Sequence, residues 1–316
     1  MTKAVTRERA GLSLRDMRSR PWHSLLLIAL GLSATVSAST FAQAPARDRT
    51  AHVRFLALNV AIGATASIAR AVVTGAPLRT TITKGLVGGA LMSTGMELIG
   101  TESPATRFAG LQLTAVGASV SRNADTGAPL LSDITLPIYP FYVRVRPGSS
   151  RPVTARLSAM SAVSFASVLT EGRRPHMDWG ATLATGAPVL RSPRWRLPSA
   201  TCGDLCEGAF AQHSAGVIVY SASAGTDYDL RRTLAHESLH LAQQTRDAVL
   251  GGITASDAAL ARLGTPGRSL SRFLVVDFLM PFRLVDEAEA RVRGVRRRDS
   301  WYETEARAFA PGGELR

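Results

Sequence analysis

Beyond residue 50, small apolar residues recur at helical spacing. Residues 53–74 (VRFLALNVAIGATASIARAVVT) read as a helix closed by Gly75 and Pro77. A second helix is predicted from Thr81 to Ile99, where glycines at 85, 88, 89 and 95 would let another helix approach closely. A third apolar run extends from Phe108 to Val120. Arg70 interrupts the first stretch and Glu97 the second, so all three fall short of the roughly 18 apolar residues that cross a bilayer. Buried helices of a soluble or membrane-apposed protein are the expectation.

From Leu131 to about Ser221 the pattern becomes alternating, as in Ile134, Leu136, Ile138 and then Phe141, Val143, Val145. Further strands are expected at Val153–Ala159, Ala162–Leu169 and Gly216–Tyr220. Loops are expected around Glu171–Asp178 and Ala187–Glu207. About five strands result. After Tyr220 the period returns to helical, with Leu230, Leu234, His236, Leu239 and His240 placing a helix over about Asp229–Ala248. A short helix near Ser256–Leu263, an apolar run Phe273–Val285 and two helical segments, Asp286–Val295 and Trp301–Phe309, complete the chain. The fold class implied is α+β. Gly-rich helices (45–130) and an antiparallel β region (131–215) would pack as one body on a helical metal-binding part (216–316).

The first 44 residues have a different character. Arg15, Arg18 and Arg20 precede an apolar run from Leu25 to Leu32, followed by small residues through Ala44, which is the layout of a secretory signal peptide. Cleavage after Ala38, Ala42 or Ala44 fits, and an uncleaved anchor is the alternative. An exported protein, periplasmic or associated with the cell envelope, is therefore expected.

Charge refines this picture only slightly. The formal net charge is +13; residues 1–44 carry six Lys/Arg and two Asp/Glu, so their removal leaves 31 against 22, or +9. The charge is almost all Arg and scattered, which argues against nucleic acid as a partner and leaves peripheral association with an anionic membrane open. Cys202 and Cys206, the only cysteines, read as a local disulfide in an oxidising compartment. A zinc site using them with His213 is the alternative. No feature fixes an oligomeric state.

The chemistry is concentrated in His236-Glu237-Ser238-Leu239-His240. Two histidines four residues apart on a helix project from one face, so both imidazoles can meet a single tetrahedral ion. The carboxylate that follows the first histidine reaches a water rather than the metal, where it can act as general base. His236 and His240 are thus candidate metal ligands and Glu237 the candidate catalytic base.

The segment Leu234-Ala-His236-Glu237-Ser-Leu-His240-Leu-Ala-Gln243 resembles the active-site helix of the zincin metallopeptidases, whose hallmark is H-E-x-x-H. The resemblance covers about residues 216–310. It implies Zn2+ as cofactor, a peptide or protein substrate, water activated by Glu237, and an edge strand that aligns the substrate, with Gly216–Tyr220 as the candidate. Arg246 stands where the metzincin subgroup needs a third histidine, which excludes that subgroup. Trp301-Tyr302-Glu303-Thr304-Glu305-Ala306 is similar to the E-x-E-A segment of gluzincin-like families, and Glu305 is the expected third ligand. Glu303 is its close rival, and Glu287 and Glu289 repeat the local pattern. Tyr302, Tyr228 and His176 are candidates for stabilising an oxyanion. The competing reading is an envelope-associated structural or binding protein whose zinc site is a relic or purely structural.

Overall fold

Glycine placement decides how the first three helices meet. In the computed structural model α1 (Arg49–Thr74), α2 (Leu78–Ile99) and α3 (Pro104–Asp125) pack backbone against backbone. A Cβ on Gly117 of α3 would come within 2.6 Å of the Gly88 carbonyl oxygen and the Met92 nitrogen of α2, and one on Gly95 would meet the Gly110 oxygen at 2.6 Å. Gly89 faces Val60 of α1 in the same way. The described residues are 49–75, 77–101, 103–170, 175–192, 211–221, 227–276 and 301–310. Among them, no helix is long and apolar enough to cross a membrane.

Among the described residues, eight strands in two four-stranded sheets stand where about five were expected. In the first, β1 (Ile134–Ile138), β2 (Phe141–Val145) and β3 (Val153–Ser158) form an antiparallel meander, with Leu136 opposite Val143 and Val143 opposite Ala155. Residues 162–169, expected as a strand, lie instead in the helix α4 (Ala159–Thr170). Phe165 and Val168, three residues apart, share one face of it and pack on Leu190, Val217 and Val219. That helical pairing outweighed the β-branched look of the segment.

The second sheet runs in the order β4 (His176–Met177), β5 (Val189–Ser192), β7 (Val217–Ser221), β6 (Ala211–Ser214). Strand β5 lies in the stretch expected as loop. Between β4 and β5 sits α5 (Trp179–Thr185), capped by Asp178, whose Oδ1 accepts the Ala181 N–H at 2.9 Å. β6 and β7 are antiparallel and joined by Ala215 and Gly216, both at positive φ (44° and 87°), as a two-residue hairpin turn requires. β7 is the strand expected at 216–220, but it lies inside the sheet; among the described residues β4 and β6 are its edges. The antiparallel expectation also needs correction, since β5 pairs with β7 in parallel.

The motif helix α6 (Asp227–Asp247) continues through a wider π turn, Ala248–Gly252, into α7 (Ile253–Ala261) and α8 (Gly264–Leu270). β8 (Leu274–Val275) then joins β3 in parallel, and α9 (Trp301–Phe309) ends the described chain. One apolar cluster holds Phe55, Met96, Leu111, Tyr142, Leu239 and Phe309 together. The Gly-rich helices, the first sheet, the motif helix and α9 therefore share a core, and the α+β class holds. Residues 1–44, Cys202, Cys206, Glu287 and Glu289 lie outside the described residues.

Candidate metal centre

Packing presents α6 with its histidines toward α9. On one side Leu234 joins Val189, Ile218 and Tyr220 of the second sheet; on the other Leu239 and Leu241 enter the central core. His236 and His240 are both buried, and their rings meet edge to face with centroids 4.8 Å apart. Their Nε2 atoms are 3.2 Å apart.

Glu303, from α9, closes the triangle. Its Oε2 lies 3.3 Å from His236 Nε2 and its Oε1 3.3 Å from His240 Nε2. Ligands about 2.0–2.1 Å from a tetrahedral ion stand about 3.3 Å from one another; here the two nitrogens are 3.2 Å apart and each is 3.3 Å from a different oxygen of the one carboxylate. Burial alone would raise the carboxyl pKa of Glu303, but the facing His240 and His236 hold it well below the usual carboxylate range. With its side chain 24% exposed, Glu303 leaves the site open to solvent on one side.

The hydrogen bonds around His240 fix which nitrogen faces the triangle. Gln243 donates from Nε2 to the Tyr302 carbonyl at 2.9 Å and to Glu305 Oε2 at 3.0 Å, both pure acceptors, so its Oε1 is the atom 2.8 Å from His240 Nδ1. Nδ1 therefore carries the proton and Nε2 presents a lone pair. Three lone-pair donors converging on one point fit a divalent cation. His236 Nδ1, by contrast, is buried and has no hydrogen-bond partner among the described residues.

Glu305 is not brought to the histidines. It is 1% exposed and its Oε1 accepts from Arg246 Nη1 at 2.7 Å and Asn59 Nδ2 at 2.8 Å. Burial would raise its pKa, but Arg246 and the bonds from Arg246, Asn59 and Gln243 hold it low and ionised. Burial works against the charge of Arg246 as well, and Glu305 and Asp247 outweigh it, raising the guanidinium above its ordinary value. The expected third ligand thus gives way to its rival, Glu303, because Glu305 already has a buried cation as partner.

Glu237 sits beside His236, 8% exposed. Of the oxyanion candidates, Tyr302 donates its hydroxyl to Asp247 Oδ2 at 2.9 Å, His176 is exposed on β4, and the Tyr228 side chain lies outside what is described. His213, which the sequence suggested only as a companion of Cys202 and Cys206, lies near this site. It stands on edge strand β6 with its ring stacked toward His240 at 6.4 Å, and its Nε2 accepts the Gly216 N–H at 3.0 Å. Sequence reasoning missed Gln243 and Asn59, although a polar residue three positions after His240, on the same helix face, was a legible signal.

No protein-family model, no curated protein and no solved structure matches this chain.

Proposed function

We propose that this protein is an exported zinc-dependent metallopeptidase, with His236, His240 and Glu303 as the zinc ligands and Glu237 as the general base. The observation that carries the reading is the cluster in which two imidazole nitrogens of an H-E-x-x-H helix stand 3.2 Å apart and each lies 3.3 Å from an oxygen of the Glu303 carboxylate. Bound zinc would supply a Lewis acid that polarises a carbonyl and makes water acidic near neutral pH.

The chain's own groups account for the rest. Glu237 takes a proton from the attacking water and hands it to the nitrogen of the departing amine, leaving a carboxylate and a free amine. Among the described residues β6 is an edge strand, and its His213 lies beside His240. An extended peptide added to that edge would run past the site, which favours a peptide over other carbonyl substrates. Export rests on the Arg-flanked apolar segment at residues 15–44.

Incubating the purified protein with a mixed peptide pool tests the reading by mass spectrometry. New cleavage products that vanish with chelator and return with zinc are expected. A zinc-loaded protein that cleaves no peptide would count against the peptidase and favour a structural metal site.

A further inference from the structure

We infer that Gln243, Glu305, Arg246 and Asn59 form a positioning network that fixes the tautomer and aim of His240, so that metal affinity depends on a residue of helix α1. The inference rests on the metal reading above and extends it to groups that touch no metal.

The four residues are each at most 4% exposed and are joined without a break. His240 Nδ1 gives its proton to Gln243 Oε1; Gln243 Nε2 donates to Glu305 Oε2; Glu305 Oε1 accepts from both Arg246 and Asn59. Asn59 completes the ring, since its Oδ1 accepts from Arg246 Nη1 at 2.7 Å while its Nδ2 donates to Glu305. An amide can present either end, and the ionised Glu305 decides which. A carboxylate accepts only, so Gln243 must turn its NH2 toward Glu305 and its oxygen toward His240. His240 is then forced to keep its proton on Nδ1, and Nε2 is left as a donor of electrons.

The two histidines differ in this respect. Among the described residues His236 Nδ1 is buried without a hydrogen-bond partner, whereas His240 Nδ1 is held by a bond that continues to the N-terminal bundle. Asn59 and Glu305 are 246 residues apart in sequence, so the network also ties α1 to the helix that delivers Glu303. The Gly-rich helices thereby act as part of the metal site's frame.

The test measures zinc affinity by chelator competition, with the visible spectrum of the cobalt-substituted protein as a second readout, on the whole mature chain. Gln243→Met keeps the length and removes the acceptor; it should weaken zinc by about 10–100-fold and change the cobalt bands. Gln243→Glu keeps an acceptor opposite Nδ1 but turns an oxygen toward the Glu305 carboxylate and the Tyr302 carbonyl, so the cobalt spectrum should move back toward that of the wild type while the affinity recovers only in part. Asn59→Leu should weaken zinc in the same direction by less. The fold-independent check is on the wild type, where NMR of 15N-labelled histidines in the zinc-loaded protein should show His240 protonated at Nδ1. Wild-type protein without zinc would overturn the metal reading and this inference with it. One zinc in the wild type, combined with unchanged affinity and spectrum in Gln243→Met or with a His240 protonated at Nε2, would overturn this inference alone.

Discussion

Glu303 and Glu305 lie two residues apart on α9, and their carboxylates serve different partners. Glu303 reaches both imidazoles at 3.3 Å; Glu305 closes a buried ion pair with Arg246 at 2.7 Å. Positions two apart on a helix are separated by about 200° around its axis, so the two side chains do not converge on one ion. One carboxylate is exposed enough to exchange ligands, and the other is locked in the core.

Removing Glu305 should therefore cost stability before it costs metal contacts. Glu305→Ala leaves buried Arg246 with only Asp247 as counter-ion, which is expected to destabilise the fold by about 3 kcal/mol. Glu303→Ala, at a part-exposed position, should stay within about 1 kcal/mol of wild type in metal-free protein. Urea denaturation of the chelator-treated variants checks this; the opposite order would mean that the buried pair has been misjudged.

Glu237→Gln should separate binding from chemistry. The amide keeps the shape but cannot take a proton, so zinc content should be unchanged while peptide cleavage falls by about 10²–10⁴-fold. Full activity in this variant would remove Glu237 from the mechanism.

A pH effect is expected at Asp133, which sits between α3 and the first sheet. Arg122 Nη2 donates to its Oδ1 at 3.0 Å, and Arg144 binds both of its oxygens. Burial pushes its pKa up, but Arg144 and Arg122 outweigh burial and hold it below the ordinary value. A folded-state pKa below the unfolded value, about 3.9, means that the group stabilises the fold above that pH and loses the effect as pH falls through the folded value. The stability gap between wild type and Asp133→Asn should be full at pH 6–7 and shrink below about pH 4. Urea titrations across that range measure it, and a gap independent of pH would contradict the assignment.

The helix bundle should tolerate no side chain at its glycine contacts. A Cβ on Gly117 meets two backbone atoms at 2.6 Å, so Gly117→Ala is expected to lose about 1–3 kcal/mol. Gly251, with nothing within 4 Å of a built Cβ, is the control; Gly251→Ala should be neutral or gain up to about 1 kcal/mol. Thermal melts of both variants, compared with wild type, decide the matter.

Much of this arrangement was legible in the sequence, and the failures have physical causes. Spacing alone placed His236 and His240 on one helix face, and Gly75 with Pro77 marked the end of α1. Choosing between Glu303 and Glu305 was beyond local pattern, because the choice depends on how α9 lies against α6. The deciding clue was Arg246, which the sequence reading used only to exclude a metzincin; in the fold it is the counter-ion that withdraws Glu305. Residues 159–170 misled because Val163, Phe165 and Val168 suit a strand locally, while the packing of Phe165 and Val168 on the sheet makes the segment a helix. Edge and interior strands likewise have similar sequences, so the role of β6 emerged only from the pairing order.

The most direct measurement is the metal content of the purified protein and its variants by mass spectrometry after dialysis against a mild chelator. One zinc per wild-type chain is predicted, lost in His236→Ala, His240→Ala and Glu303→Ala but retained in folded Glu305→Gln. No zinc in the wild type, or zinc that survives Glu303→Ala and disappears with Glu305→Gln, would contradict the account.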